Sequence, residues 1–356
     1  MMKKIRVALL ANLKSNAPPI SGMPEDQWAD LDSEPTLNAL VLAIQAGGHI
    51  CEFLEGDVTL FNSLGKFNPD ICFNICEGHF GDAREAQVPA ILEMLRIPYT
   101  GSKVLTLALG LDKPMTKRVL TYHDLPTPPF QVFERIDEDI NDDMTFPLFA
   151  KPSREGTGMG VSAKSIVRNE SELREQVAYI LERYKQTALV EHYIEGREVT
   201  VGVIGNLDRP VARRLPEDEE APRIQAGLRF LPPLEVNLKP YTNDDIVYSN
   251  RLKVELADKL EYLCPAPLDP ALVEDLNWYA AAVFRVTGSL DVGRVDFRLD
   301  ENNNMKPYIL EINHLPGLSP GVSDLVIEAA AAGIGHTELV NMILDTSLER
   351  YGLKNP

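Results

Sequence analysis

The stretch that most constrains this chain is SLDVGRVDFRLDENNNMKPYILEINHLPGLSPG, residues 289–321, because its functional side chains alternate. Arg294 and Asp296 are separated by one residue, as are Glu311 and Asn313, so in extended chain each pair projects onto one face of a sheet. Val295, Phe297, Ile309, Leu310 and Ile312 are left for packing. The run from Asp300 to Asn304 suits a hairpin turn, and pairing the two strands would gather Asp296, Glu311 and Asn313. Hard oxygen ligands gathered in this way suit Mg²⁺, or Mn²⁺ in its place, which takes its remaining ligands from phosphates and water. Arg294 beside such a metal could hold a developing oxyanion. An exposed hairpin with surface charges would carry the same residues, so the rest of the chain has to decide.

A second stretch does much of that deciding. Residues 146–150 read as a strand, and Lys151-Pro-Ser-Arg-Glu-Gly-Thr-Gly-Met-Gly160 follows at once. Gly156, Gly158 and Gly160 permit close approach and unusual backbone angles, so several N–H groups can point at phosphate oxygens while Lys151 neutralises charge. Gly-Lys-Ser/Thr is missing, so this is not a Walker loop, and it does not open a dinucleotide-binding crossover. The competing reading is an ordinary glycine hairpin.

The 356 residues suffice for two or three compact units. No apolar run approaches the roughly 20 residues that span a bilayer, and the first residues, MMKKIRVALLANLKSN, do not read as a secretory signal. The expected location is the cytoplasm. A net charge of −18 argues against nucleic acid or an anionic membrane as main partner. Cys51, Cys72, Cys76 and Cys264 lack paired spacing and read as buried free thiols.

Along the chain, residues 3–11, 49–54 and 70–75 read as strands, with a helix at 36–47 between the first two. The alternation suggests a parallel, Rossmann-like sheet. Helices are expected at 103–111, after a cap at Asp112, at 171–185 with Ser171 as N-cap, at 269–287 and at 323–332. Residues 206–250 are acidic, proline-rich and weakly periodic, and read as an insertion.

Several of these segments together resemble the D-alanine–D-alanine ligase branch of the ATP-grasp superfamily. GRVDF, LEIN and PGLS are similar to its C-terminal metal signature, KPSREG to its phosphate-covering loop, and residues 74–102 with their IPYTGS exit to its second glycine-rich turn. The resemblance implies an α/β ATP-grasp fold with an N-terminal Rossmann-like domain at 1–102, a central small lobe at 103–193 and a C-terminal lobe at 194–356. ATP and Mg²⁺ would be used to join two amino acids through an acylphosphate, in a homodimer.

The resemblance also implies roles. Metal would rest on Asp296, Glu311 and Asn313, and the oxyanion on Arg294 and a backbone N–H near Gly317. Lys113, Lys151 and the loop containing Thr157 would attend the phosphates, although Lys113 by itself reads as a surface lysine. Glu191, Ile194 and Glu198 match the hinge that reads adenine and ribose. Glu34, with Thr36, matches an element that orients the first amino acid, although helix capping also explains that segment. Glu77 and His79 fall near the substrate side, a loop histidine being otherwise simply solvated, and Ser319 and Ser323 are candidates for a substrate carboxylate. Lys253 is the nearest lysine to the omega loop, which in the family carries Lys-Tyr. Three departures sit where substrate identity is set: Glu77-Gly78 for His-Gly, the missing Lys-Tyr, and His314-Leu315 after Asn313. A ligase making a different amide, or a nucleotide-binding regulatory protein without ligation, are the alternatives.

Overall fold

The computed structural model describes residues 4–22, 24–208, 225–237 and 261–354. Three sheets lie in chain order. In the first, β1 (Arg6–Ala11), β2 (Ile50–Glu55) and β3 (Ile71–Asn74) run parallel in the order β2-β1-β3. Near-continuous apolar runs such as Val7 to Ala11 are what a sheet covered on both faces requires. Helix α1 (Glu34–Ala46) is capped by Ser33, whose hydroxyl accepts from the Thr36 N–H at 3.4 Å, with Pro35 in the first turn. Helices α2 (Leu60–Phe67) and α3 (Gln87–Leu95) complete this unit.

The second sheet, in the order β4-β7-β5-β6, is formed by β4 (Phe130–Phe133), β5 (Leu148–Pro152), β6 (Ile166–Val167) and β7 (Ala188–His192). Helix α6 (Glu170–Arg183) packs on it, capped by Asn169 rather than by Ser171, because the Asn169 side chain accepts from the Glu172 N–H. Helices α4 (Val104–Leu111) and α5 (Lys113–Tyr122) precede this sheet, and Asp112 caps α5 by accepting from Met115 N–H at 2.9 Å. Sequence order groups them with the central lobe, yet Leu120 and Leu125 belong to the core of the C-terminal sheet.

That sheet runs β11-β10-β8-β12-β13, with β9 also on β8. Its strands are β8 (Gly196–Gly205), β9 (Leu228–Phe230), β10 (Leu234–Asn237), β11 (Glu261–Leu263), β12 (Val292–Asp300) and β13 (Lys306–Asn313). The segment expected as an insertion therefore supplies two strands, β9 and β10; Leu234 and Val236 on β10 are buried, as is Leu231 between the two strands. Helices α7 (Pro270–Thr287), α8 (Asp324–Ala331) and α9 (His336–Arg350) cover the sheet and reach back to α1. One apolar core joins β1, α1, α8 and α9, so the N-terminal unit and the C-terminal lobe share packed interior. Among the described residues no helix is long and apolar enough to cross a membrane.

Candidate active site

Two cavities meet between the sheets. The first is lined by Phe149, Lys151, Met159, Val161, Ile194, Val199, Val236 and Leu310, with Glu191 and Glu198 at its edge and Lys113, Arg294, Asp296 and Glu311 at its inner end. An apolar slot ending in cations and carboxylates suits a purine whose phosphates reach inward. Its wall includes Tyr193 and Ile194 from the link between β7 and β8, where Tyr193 stacks on Phe149 with centroids 6.3 Å apart. Glu191 is buried between two lysines, Lys117 Nζ at 2.7 Å and Lys151 Nζ at 2.8 Å. Burial alone would raise its pKa, but Lys117 and Lys151 outweigh that and hold the carboxyl below its ordinary range. The Glu191 side chain is thus committed to holding Lys117 and Lys151, while its strand pairs with β4 on one side and β5 on the other. Glu198 pairs with its cross-strand neighbour Arg298 at 2.8 Å.

The glycine stretch turns twice, through Met159 N–H to the Gly156 carbonyl and Val161 N–H to the Gly158 carbonyl. Thr157, Gly158 and Gly160 all have positive φ, 53°, 68° and 73°. A β-branched residue rarely takes that region, and such strain concentrates at ligand clamps. The N-terminal unit clasps this loop: Gly160 N–H donates to Asp26 Oδ2 at 2.8 Å, and Arg84 Nη1 to the Arg154 carbonyl at 2.8 Å. Lys113 Nζ donates to the Glu155 carbonyl at 2.5 Å and lies 3.4 Å from Glu311 Oε2.

On the paired strands β12 and β13, Asp296 stands opposite Glu311, and Arg294 opposite Asn313. Asp296 accepts from Arg294 Nε at 2.8 Å and Nη2 at 2.9 Å, from Thr200 Oγ1 at 2.6 Å and from Asn313 Nδ2 at 2.8 Å. Arg294 Nη1 also lies 3.3 Å from Asp324 Oδ2. Asp296, Glu311 and Asn313 fit a hard divalent cation in donor type and in placement beside the inner end of the nucleotide cavity. Among the described residues no group of three or more His, Cys, Asp or Glu gathers as a metal site, so a cation here would rest on two carboxylates and one amide. A register shift after Asp296, characteristic of a β-bulge, pairs Phe297 with Ile309 and leaves Leu310 without a partner. The bulge turns Leu310 into the nucleotide cavity, whereas strict alternation had assigned it to the core.

The second cavity shares Lys113, Glu155, Arg294, Glu311 and Asp324 with the first. It continues past Thr157, Asn313, Gly317, Ser319 and Ser323 to Asp30, Asp32, Glu77 and Glu85. Ser323 Oγ accepts from the Ser319 N–H at 2.9 Å, and Thr36 Oγ1 donates to Ser319 Oγ at 3.3 Å, so the start of α1 meets the start of α8 here.

A family model described as D-ala D-ala ligase C-terminus matches residues 119–218 and 235–345, more than half of the chain. This chain belongs to the D-alanine–D-alanine ligase family. The D-alanine–D-alanine ligase of Syntrophotalea carbinolica is 32% identical over 309 residues, 87% of this chain and 89% of that one. A Sinorhizobium fredii protein described as uncharacterized protein y4sG is 34% identical over 325 residues, 88% of each. The crystal structure of D-alanine–D-alanine ligase from Bacillus anthracis complexed with ATP matches at TM-score 0.70 and 21% identity, covering 98% of this chain and 99% of that one, which shows the ATP-grasp fold. As a member of this family the chain is an ATP-dependent ligase.

Two expected residues of this D-alanine–D-alanine ligase family member stand elsewhere. Glu34 is exposed and lines neither cavity; one helical turn gives the cleft Asp32, Ser33 and Thr36 instead. His79 faces a third cavity, edge-on to Trp28 with centroids 5.4 Å apart, while Glu77 faces the second. Gly78 between them has φ 75°, and a Cβ there would lie 2.6 Å from the Arg84 carbonyl, so only glycine lets the chain reverse here. Lys253 lies outside the described residues. Tyr262 on β11 lines the second cavity. Lys117, Thr200, Asp30, Asp32, Glu85 and Asp324 were not singled out from sequence.

Proposed function

We propose that this ligase joins a carboxylate to an amine through an acylphosphate, with amino acids as its substrate class. What supports the reading is the meeting of the two cavities at Lys113, Arg294 and Glu311, where a γ-phosphate in one would lie next to a carboxylate in the other. A carboxylate oxygen attacks the γ-phosphorus, the bond to ADP breaks, and an acylphosphate forms. Lys151, oriented by Glu191, and Lys113 spread charge on the phosphates. Asp296, Glu311 and Asn313 would hold a divalent cation, which would add to the neutralisation of the phosphates. The amine nitrogen then attacks the acyl carbon; Arg294 and the N–H near Gly317 hold the tetrahedral oxyanion, phosphate leaves with the former carboxylate oxygen, and the amine sheds a proton. Residues 154–160 cover the site and exclude water, with Thr157 facing the reacting groups, and Ser319 and Ser323 receive a substrate carboxylate. A homodimer is the assembly the family resemblance implies.

The two-step route is tested with a substrate labelled with ¹⁸O in its carboxylate. One labelled oxygen should appear in each phosphate released, read as an isotope shift in ³¹P NMR. Phosphate released without label would overturn the acylphosphate.

A further inference from the structure

The first cavity has to take a polyphosphate, yet among the described residues it is lined by more carboxylates than cations. Most of its cations are also matched. Lys113 lies 3.4 Å from Glu311, Arg294 2.8 Å from Asp296 and Arg298 2.8 Å from Glu198. A carboxylate at ion-pair distance offsets much of a cation's field a few ångströms further out, so a lysine matched in this way draws a phosphate weakly.

Lys151 breaks the pattern because its carboxylate is shared. Lys151 Nζ lies 2.8 Å from Glu191 Oε1, and Lys117 Nζ lies 2.7 Å from Glu191 Oε2. Two cations on one carboxylate leave one net positive charge, and Lys151 is the member of the group that lines the cavity together with Glu191. Lys117 lines neither cavity and is fully buried on α5, the helix whose Leu120 packs in the core of the C-terminal sheet. Its Nζ donates to Thr127 Oγ1 at 2.8 Å, and that hydroxyl donates to the Ile309 carbonyl on β13 at 2.9 Å. The ammonium is thus anchored to the C-terminal lobe while its charge acts on a carboxylate of the central sheet. Holding an ammonium wholly out of water is unfavourable: burial lowers the Lys117 pKa, and Glu191 opposes that shift. An apolar side chain of similar length would fill the same space without the desolvation, so the buried charge points to a use beyond packing.

We infer that Lys117 is a positioning residue for the nucleotide phosphates: by neutralising Glu191 it leaves the charge of Lys151 free to act on them, and through Thr127 it fixes the group against β13. The inference rests on the reading of the first cavity as the place where the ATP phosphates lie.

The test is calorimetric titration of the full chain, with Mg²⁺ present, using ADP, a non-hydrolysable ATP analogue and adenosine. Lys117→Met should weaken ADP and the analogue by about 10-fold. Adenosine, which carries no phosphate, should bind as it does to the parent. The double variant Lys117→Met/Glu191→Gln removes the carboxylate that offsets Lys151, while the new amide oxygen still accepts from Lys151, so it should recover most of the lost affinity. A lysine that served packing alone would give the opposite pattern, with adenosine weakened as much as ADP and a further loss in the double variant. Lys117→Met keeps the Glu191–Lys151 pair and leaves no charge alone in the interior. Should it not fold, Lys117→Gln, neutral but still able to donate to Thr127, takes its place. The inference is overturned if the neutral variant binds ADP as the parent does, if adenosine weakens equally, or if the double variant binds ADP no tighter than the single one. Lys151→Met separates the inference from the reading beneath it. If neither Lys151→Met nor Lys117→Met changes ADP affinity, the phosphates do not lie in this cavity and both fall; if Lys151→Met alone weakens ADP, the cavity reading stands and only the inference falls.

Discussion

Asp296→Asn is expected to abolish turnover, lowering kcat by about 10³-fold or more, while leaving the fold intact. The side chain is the meeting point of the reacting end of the cleft: Arg294, Thr200 and Asn313 all donate to it, and Glu311 stands opposite on β13. The amide is nearly the same shape, and the flanking Val295 and Phe297 keep their places in the core, so unfolding should change little. The charge is lost, however, and with it the anionic ligand that a divalent cation needs and the partner that fixes the Arg294 guanidinium from below. ADP formation from Mg-ATP gives the rate, and electron paramagnetic resonance of added Mn²⁺ gives cation binding without turnover. A variant that forms ADP at near the parent rate and binds Mn²⁺ equally well would remove Asp296 from the metal set.

The same hairpin illustrates what can be read in a sequence and what cannot. Arg294, Asp296, Glu311 and Asn313 were legible because a strand's period of two is local, and the observed register brings them together in pairs. Leu310 was misassigned by that same rule, since one bulge is enough to reverse a side chain. The start of α1 was legible as a capped helix, but which of Asp32, Ser33, Glu34 and Thr36 faces the cleft depends on how the helix is rotated against β1 and α9. His79 and Glu77 are separated by one residue and were expected on the same substrate side; the reversal at Gly78 sends them to different cavities. Strands β9 and β10 were hidden by composition, because three- and four-residue strands beside the acidic run at 216–222 carry too little pattern to be seen. Lys117 was out of reach for a different reason: its partner Glu191 is distant in sequence, and nothing local distinguishes a buried lysine from a solvated one.

Asp291 shows how far that long-range dependence extends, and it carries the largest effect expected on stability. Replacing it with Ala should destabilise the protein by about 3–5 kcal/mol, the cost of removing one partner of a buried ion pair. Asp291 is 0% exposed and sits just before β12 with φ 64°. Its carboxylate accepts from Gly101 N–H at 2.9 Å, Asn206 Nδ2 at 2.8 Å, Ser347 Oγ at 2.6 Å and Arg350 Nη2 at 2.6 Å. Those donors come from the exit of the N-terminal unit, the end of β8 and helix α9, so one side chain ties three parts of the chain at the root of β12. Alanine would leave Arg350 charged and half-buried beside the Tyr99 and Gly101 carbonyls, with three further donors unpaired. Urea unfolding should shift to a markedly lower midpoint. Asp291→Asn keeps the shape and part of the hydrogen bonding and should lose less. If Asp291→Ala unfolds at the parent midpoint, the N-terminal unit and the C-terminal lobe are held together by the shared apolar core of β1, α1, α8 and α9, and the polar junction is secondary.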